Sequence, residues 1–164
     1  MVKKIKLTQG KSALVDDEDF DYLNQWKWHV DSNGYAVHSK HCYLGYKKYK
    51  NTCIYLHRAV LKAQAGQMID HKDGNRLNNQ KQNLRFCSPS QNVANKKNQK
   101  NKITSIYRGV DYNPRFRKKW RTRIQKDRYQ IEIGRFDNEY NAALAYNNKA
   151  RELFGEFARI NNVK

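Results

Sequence analysis

Apolar and polar residues alternate with period two over Lys4-Ile5-Lys6-Leu7, and Ala13-Leu14-Val15 returns after a turn at Gly10, which predicts two short strands. From Asp16 to Gln25 the spacing becomes helical, with acids opening the segment and Phe20, Leu23 and Trp26 on one face. Trp28-His29-Val30 and Tyr35-Ala36-Val37 flank Asn33-Gly34, a dipeptide that supplies the positive φ of a tight hairpin turn. A strand over Thr52 to Leu56 and a short helix from His57 to about Ala63 follow. Met68-Ile69-Asp70-His71 then opens a second hairpin through the turn Asp73-Gly74-Asn75, and Asn83-Leu84-Arg85-Phe86 is its return. Ser88-Pro89-Ser90-Gln91 predicts a helix start: Ser88 accepts from first-turn amides, Pro89 suits the first helical position and Gln91 completes a capping box. Asn92 and Asn95, three apart, share a face of that helix.

Lys96-Lys97-Asn98-Gln99-Lys100-Asn101-Lys102 has no apolar residue and reads as a linker or a frayed helix end. Beyond it the pattern is β-β-β-α. Tyr107 to Tyr112 is the first strand, Trp120 to Gln125 the second and Tyr129 to Ile133 the third. A helix runs from Asp137 or Asn138 to about Phe154, with Tyr140, Ala143, Leu144, Ala150, Leu153 and Phe154 as its inward stripe and Gly155 as its stop. With one sheet face under that helix, Arg121, Arg123 and Gln125 point out from the other, an arrangement able to enter a major groove. Trp120 is expected in the core.

Charge sharpens this picture. The formal net charge of the 164 residues is +18 with a mean hydropathy of -1.06, so small cores and a polyanionic partner are expected. Residues 57–104 hold 10 Lys and Arg but 2 acids, and both acids lie in Asp70-His71-Lys72-Asp73. An acid kept where others are excluded suggests a bound cation for Asp70, whereas Asp73 suits a turn. Lys47, Lys48 and Lys50 could touch phosphates or line a solvated loop. No apolar run approaches the roughly 20 residues of a membrane span, and the first residues lack the apolar core of a secretory signal. The three cysteines (Cys42, Cys53, Cys87) form no C-x-x-C pair, which fits a reducing cytoplasm.

Cutting a phosphodiester requires a nucleophile, neutralisation of phosphoryl charge and help for the leaving oxygen. A histidine with an ordinary pKa of about 6.5 can take a proton from water near neutrality. On a regular strand Asp70 and His71 point to opposite sides, so one could hold metal while the other faces water. The carboxylate of Asp70 and an amide oxygen from Asn92 are hard ligands that suit Mg²⁺ or Mn²⁺. Each signal alone is unspecific; the combination at this spacing is not.

Residues 57–95, from His57-Arg58 through Asp70-His71-Lys72-Asp73-Gly74-Asn75 and Asn83-Leu84-Arg85 to Ser88-Pro89-Ser90-Gln91-Asn92-Val93-Ala94-Asn95, resemble an HNH endonuclease of the phage and intron-encoded homing type. The N-terminal Leu7-Thr8-Gln9-Gly10 through Val15-Asp16-Asp17 is similar to what precedes the motif in that group. Residues 105–161, with Tyr107-Arg108-Gly109-Val110, Ile133-Gly134-Arg135-Phe136 and Ala142-Ala143-Leu144-Ala145-Tyr146, resemble an AP2/ERF-type DNA-binding domain. Asp111 departs from the arginine usual there in plant members.

The resemblance implies an α+β protein. A strand-rich N-terminal part (1–56) leads to a ββα-metal nuclease core (57–97), a basic linker (98–104) and an AP2-like three-stranded antiparallel sheet with a helix (105–164). It implies a metal-dependent endonuclease of double-stranded DNA in which Asp70 and Asn92, or Asn95, ligate a divalent ion (Mg²⁺ first, Mn²⁺ as substitute), His71 is the general base and Asn83 fixes the base-bearing loop. His57 is expected to be structural or phosphate-facing. Arg58 and Arg85 are phosphate clamps or a solvated rim; Lys96, Lys97, Arg108, Arg115, Arg117, Arg121, Arg123 and Arg128 are the expected DNA contacts. A monomer would nick, and a homodimer on DNA would cut both strands. In a bacterial host the compartment would be the cytoplasm. The rival expectation is a DNA-binding regulator with an inactive or autoregulatory nuclease centre.

Overall fold

A computed structural model describes residues 1–45, 48–96 and 104–163, with side chains throughout except at 41–51. Lys47, Lys97 and the rest of the basic linker to 103 lie outside the described residues, as do the side chains of Lys48 and Lys50, so the contacts expected of them do too. Chain contacts define two units, Met1–Phe86 and Cys87–Lys164. The division falls inside the stretch 57–97: the hairpin of the motif belongs to the first unit and the following helix to the second.

In the first unit, β1 (Val2–Lys6) pairs antiparallel with β2 (Ser12–Asp16). Their alternation turns Ile5, Ala13 and Val15 into a core shared with Leu23, Trp28, Leu56, Val60, Ile69 and Leu84. Helix α1 (Asp17–Asn24) ends where the Trp28 indole Nε1 donates to the Leu23 carbonyl at 2.8 Å, so a large apolar ring is buried with its one donor satisfied. Next, β3 (His29–Val30), β4 (Ala36–Gly45) and β5 (Lys48–Tyr55) form one antiparallel sheet in that order. The turn between β3 and β4 uses Gly34 at φ +86°, as the Asn-Gly signal requires. Helix α2 (Leu56–Val60) is shorter than the spacing predicts. Lys62 takes a φ of +48°, and the Arg58 guanidinium folds back onto the carbonyls of Gln64 (2.6 Å), Gln67 (2.6 Å) and Ala63 (3.4 Å). Then β6 (Met68–His71), a 3-10 turn at Lys81–Asn83 and β7 (Leu84–Cys87) complete the hairpin, β6 pairing with β7.

The second unit opens with α3 (Pro89–Asn95), whose capping box is formed in both directions: Gln91 N donates to Ser88 Oγ at 3.2 Å and Ser88 N to Gln91 Oε1 at 2.8 Å. The strands β8 (Val110–Tyr112), β9 (Trp120–Lys126) and β10 (Tyr129–Phe136) make an antiparallel sheet in the order β10-β9-β8, and α4 (Glu139–Phe154) packs on one face. Thr122 and Ile124 face that helix; the Thr122 hydroxyl donates to the Ala142 carbonyl at 3.1 Å. Trp120 is half-buried against the cluster of Val110, Ala142 and Ala143.

Two sequence expectations are corrected here. The first strand begins at Val110 rather than Tyr107, because Asn161 grips the backbone of Arg108 on both sides (Arg108 N to Oδ1, 2.6 Å; Nδ2 to Arg108 O, 3.1 Å) and Gly109 turns at φ +73°. The inward face of α4 is Ala142, Ala143, Tyr146, Asn147, Ala150 and Phe154, whereas Tyr140 and Leu144 are exposed. Asn147 belongs inside because it exchanges hydrogen bonds with the Asn161 backbone (2.9 and 2.7 Å). Among the described residues no helix is long and apolar enough to cross a membrane.

Candidate active site

The last two residues of β6 are both buried, Asp70 beneath Arg85 and His71 among aromatic rings. Arg85, on the facing strand β7, donates from Nε (3.0 Å) and Nη2 (2.9 Å) to Asp70 Oδ2. Neither residue therefore faces open water, which corrects the expectation that one of the two would. Such a buried pair is strongly destabilising to break from one side. Arg85 is a partner of Asp70 within the protein and not a solvated rim residue.

The His71 ring lies 5.3 Å from that of His57 and 5.9 Å from that of Tyr35, and Tyr55 completes the group at 5.5 Å from His57. Burial pushes the His71 imidazole below its usual pKa, outweighing the bond to Asn79 and the charges of Asp73 and Asp70. His57 is driven down to about 4, by burial first and then by the His71 and Arg58 charges. In both rings burial favours the neutral form.

Asn79 is fully buried and does not stand out in the sequence, yet it addresses His71 directly: its Oδ1 is 3.3 Å from His71 Nε2. Its Nδ2 donates to the Arg76 carbonyl and its backbone N to Leu14 O at 2.8 Å, so strand β2 fixes it. An oxygen facing Nε2 selects the tautomer with the proton there and leaves Nδ1 as the basic nitrogen.

The loop between the strands is a lattice of short polar bonds. Asn83 donates from Nδ2 to Asp73 Oδ1 (3.0 Å) and to Asn78 O (2.7 Å), and accepts from Asp73 N (3.1 Å). Asp73 also accepts from Asn75 N (2.7 Å) and Asn78 Nδ2 (2.8 Å), while Gly74 supplies φ +71° for the turn after His71. Partial burial of Asp73 would raise its pKa, but these donors together hold it below the usual carboxylate value. Asp73 is thus a loop organiser, as its turn position suggests.

The two helix asparagines lie in the second unit, Asn92 half-buried and Asn95 buried. Helix α3 is built into that unit: Ala94 packs with Ile124, Tyr146, Ala150 and Phe154. Arg108 donates to the helix-end carbonyls of Lys96 (2.5 Å) and Val93 (3.0 Å), and Arg159 donates to Asn95 O (3.4 Å). Arg108 thereby caps a helix C-terminus, as Arg58 caps the loop after α2. Both guanidiniums are engaged by backbone carbonyls at half-buried positions. Arg121 and Arg123 face out from the sheet but are bound to Asp111. Lys96, Arg115, Arg117 and Arg128 are exposed.

A strand ending in Asp-His, a loop clamped by Asn83, a return strand and a capped helix follow one another in the order of an HNH-type nuclease motif. The HNH endonuclease family model matches residues 55–94. Over 161 residues the chain is 30% identical to an uncharacterised HNH endonuclease (L560) of Acanthamoeba polyphaga mimivirus, spanning 94% of this chain and 77% of that protein. Over 95 residues it is 36% identical to Protein 3.8 of Escherichia phage T7, spanning 58% of this chain and 76% of that one. No solved structure matches.

The chain belongs to the HNH endonuclease family. It is an endodeoxyribonuclease, and DNA is its substrate.

HNH nucleases generally use a divalent metal. Among the described residues no three His, Cys, Asp or Glu side chains gather as a metal-binding group. The donor chemistry nonetheless fits a hard ion such as Mg²⁺, which keeps several waters and takes one or two carboxylates with substrate phosphate oxygens. Asp70 is a carboxylate of the kind such an ion takes, with its Oδ2 already accepting from Arg85.

Proposed function

We propose that the chain is a homing-type, divalent-metal-dependent HNH endonuclease, with Mg²⁺ as the working ion, and that its AP2-like sheet selects the site on double-stranded DNA. The observation that supports this most is the buried His71 imidazole with Nε2 facing Asn79 Oδ1. In this reading Nδ1 of His71 accepts the proton of the attacking water. Asn83 keeps the loop after His71 rigid, so the imidazole does not swing away as charge develops. His57, Tyr35 and Tyr55 exclude bulk water from the ring and keep it unprotonated. Asp70 and Asn92, with Asn95 as the alternative amide, would hold the ion. That ion would supply neutralisation of charge on the phosphoryl group and on the leaving 3′ oxygen. The products are a 5′-phosphate and a 3′-hydroxyl.

One such centre per chain cuts one strand per encounter, so a monomer nicks and a homodimer on DNA cuts both strands. A phage- or intron-encoded enzyme of this kind would act in the cytoplasm of a bacterial host. Arg115, Arg117, Arg128 and Lys96, all exposed, are the remaining phosphate contacts, and Lys97 joins them in this reading.

Supercoiled plasmid incubated with protein and Mg²⁺ tests the reading. The wild type should convert it to the open circle, EDTA should stop the reaction, and His71→Ala should slow it by ~10² or more. No nicking, or equal nicking by His71→Ala, would leave a DNA-binding regulator with an idle nuclease centre.

A further inference from the structure

The open face of the three-stranded sheet carries a carboxylate where free positive charge is expected. Asp111 on β8 stands opposite Arg121 on β9, and Arg123 lies two residues further on the same face. Asp111 Oδ2 accepts from Arg121 Nε (3.1 Å) and Nη2 (2.9 Å). Its Oδ1 accepts from Arg123 Nε (3.2 Å) and Nη2 (3.0 Å). Arg123 Nη1 in turn donates to Gln130 Oε1 on β10 at 2.9 Å. One network therefore crosses all three strands, on the side away from Thr122, Ile124 and α4.

The three charged side chains remain a quarter to a third exposed (Arg121 25%, Asp111 26%, Arg123 32%). Ion pairs this open add little stability, so stability is a weak reason for the arrangement. Its larger effect is on what the guanidiniums can do. A free arginine on a DNA-facing surface binds any phosphate, a sequence-independent and salt-sensitive attraction. An arginine held by a carboxylate has a fixed plane, loses less side-chain freedom on docking and can present its fork to a base edge.

We propose that Asp111 is a specificity-determining residue. It orients Arg121 and Arg123 as base-reading donors and cancels part of the charge that would otherwise bind any DNA backbone. This rests on the reading of the sheet as the DNA contact.

Binding of a random-sequence 20-bp duplex, measured in EDTA over a range of salt, separates the possibilities. Asp111→Asn keeps the shape and removes the charge. It should bind random DNA more tightly at low salt, with a log–log salt slope steeper by about one to two, at ~0.9 per phosphate gained. It should also enrich sequences from a random pool less than the wild type does. Asp111→Glu keeps the charge and should keep the wild-type slope; circular dichroism checks folding of both. A slope in Asp111→Asn no steeper than wild type, or a steeper one in Asp111→Glu, overturns the role of Asp111 if joint replacement of Arg121 and Arg123 by Ala still weakens binding. If that double replacement leaves binding unchanged, the sheet is not the DNA contact and the inference falls with it.

Discussion

His57 and His71 are two imidazoles packed ring against ring, and burying them neutral has a measurable consequence. The folded pKa of His57, about 4, lies below its ordinary value of 6.5. Between these values the unfolded chain binds more protons than the folded one, so stability is complete above about pH 6.5 and falls as pH drops toward 4. The shift corresponds to about 3 kcal/mol in full. Urea unfolding followed at pH 7 and at pH 4.5 should show a loss on the order of 2–3 kcal/mol from this group. His57→Phe keeps a ring in the aromatic group and should remove most of that loss; an unchanged acid sensitivity would show that His57 is not the group buried neutral. The same residues mark what sequence reading reaches. Asp70-His71 and Asn83 stand out because their spacing is local. Asn79 and the ring contacts of Tyr35, Tyr55 and His57 do not, because residues up to 36 apart in sequence come together only through the fold.

At the scale of elements, caps and turns were the legible part. Ser88 and Gln91 form the capping box their spacing implies, and Asn33-Gly34 makes its hairpin. The inward stripe of α4 differs from the periodic one because hydrophobic periodicity has no means of placing a polar residue such as Asn147 inside. Only its pairing with Asn161 makes that burial favourable. Gly109 sits at a close approach within the second unit. A Cβ there would lie 2.3 Å from the Tyr146 ring and 2.5 Å from the Arg123 carbonyl, at a φ of +73°. Gly109→Ala should therefore lower stability by more than ~2 kcal/mol. Thermal unfolding followed by circular dichroism checks this; an unchanged midpoint would mean that the sheet and α4 are not packed as described.

Across the whole molecule, the +18 charge points to a polyanion but says little about which arginines meet it. Arg58, Arg85, Arg108, Arg121 and Arg123 are each bound to groups of the protein itself, carbonyls or carboxylates far enough along the chain that composition does not reveal them. The family match at 55–94 also runs across the division at Phe86, so the motif draws its hairpin from one unit and its helix from the other. Contiguity in sequence hid that division, because the contacts of Ala94 and the cap from Arg108 come from residues that follow the linker. In the proposed function the imidazole at position 71 takes a proton from the attacking water. Chemical rescue measures it most directly: plasmid nicking by His71→Gly with Mg²⁺, with and without added imidazole. The variant should be nearly inactive alone and regain nicking in proportion to imidazole. Full activity without imidazole, or no response to it in a folded variant, would contradict the assignment.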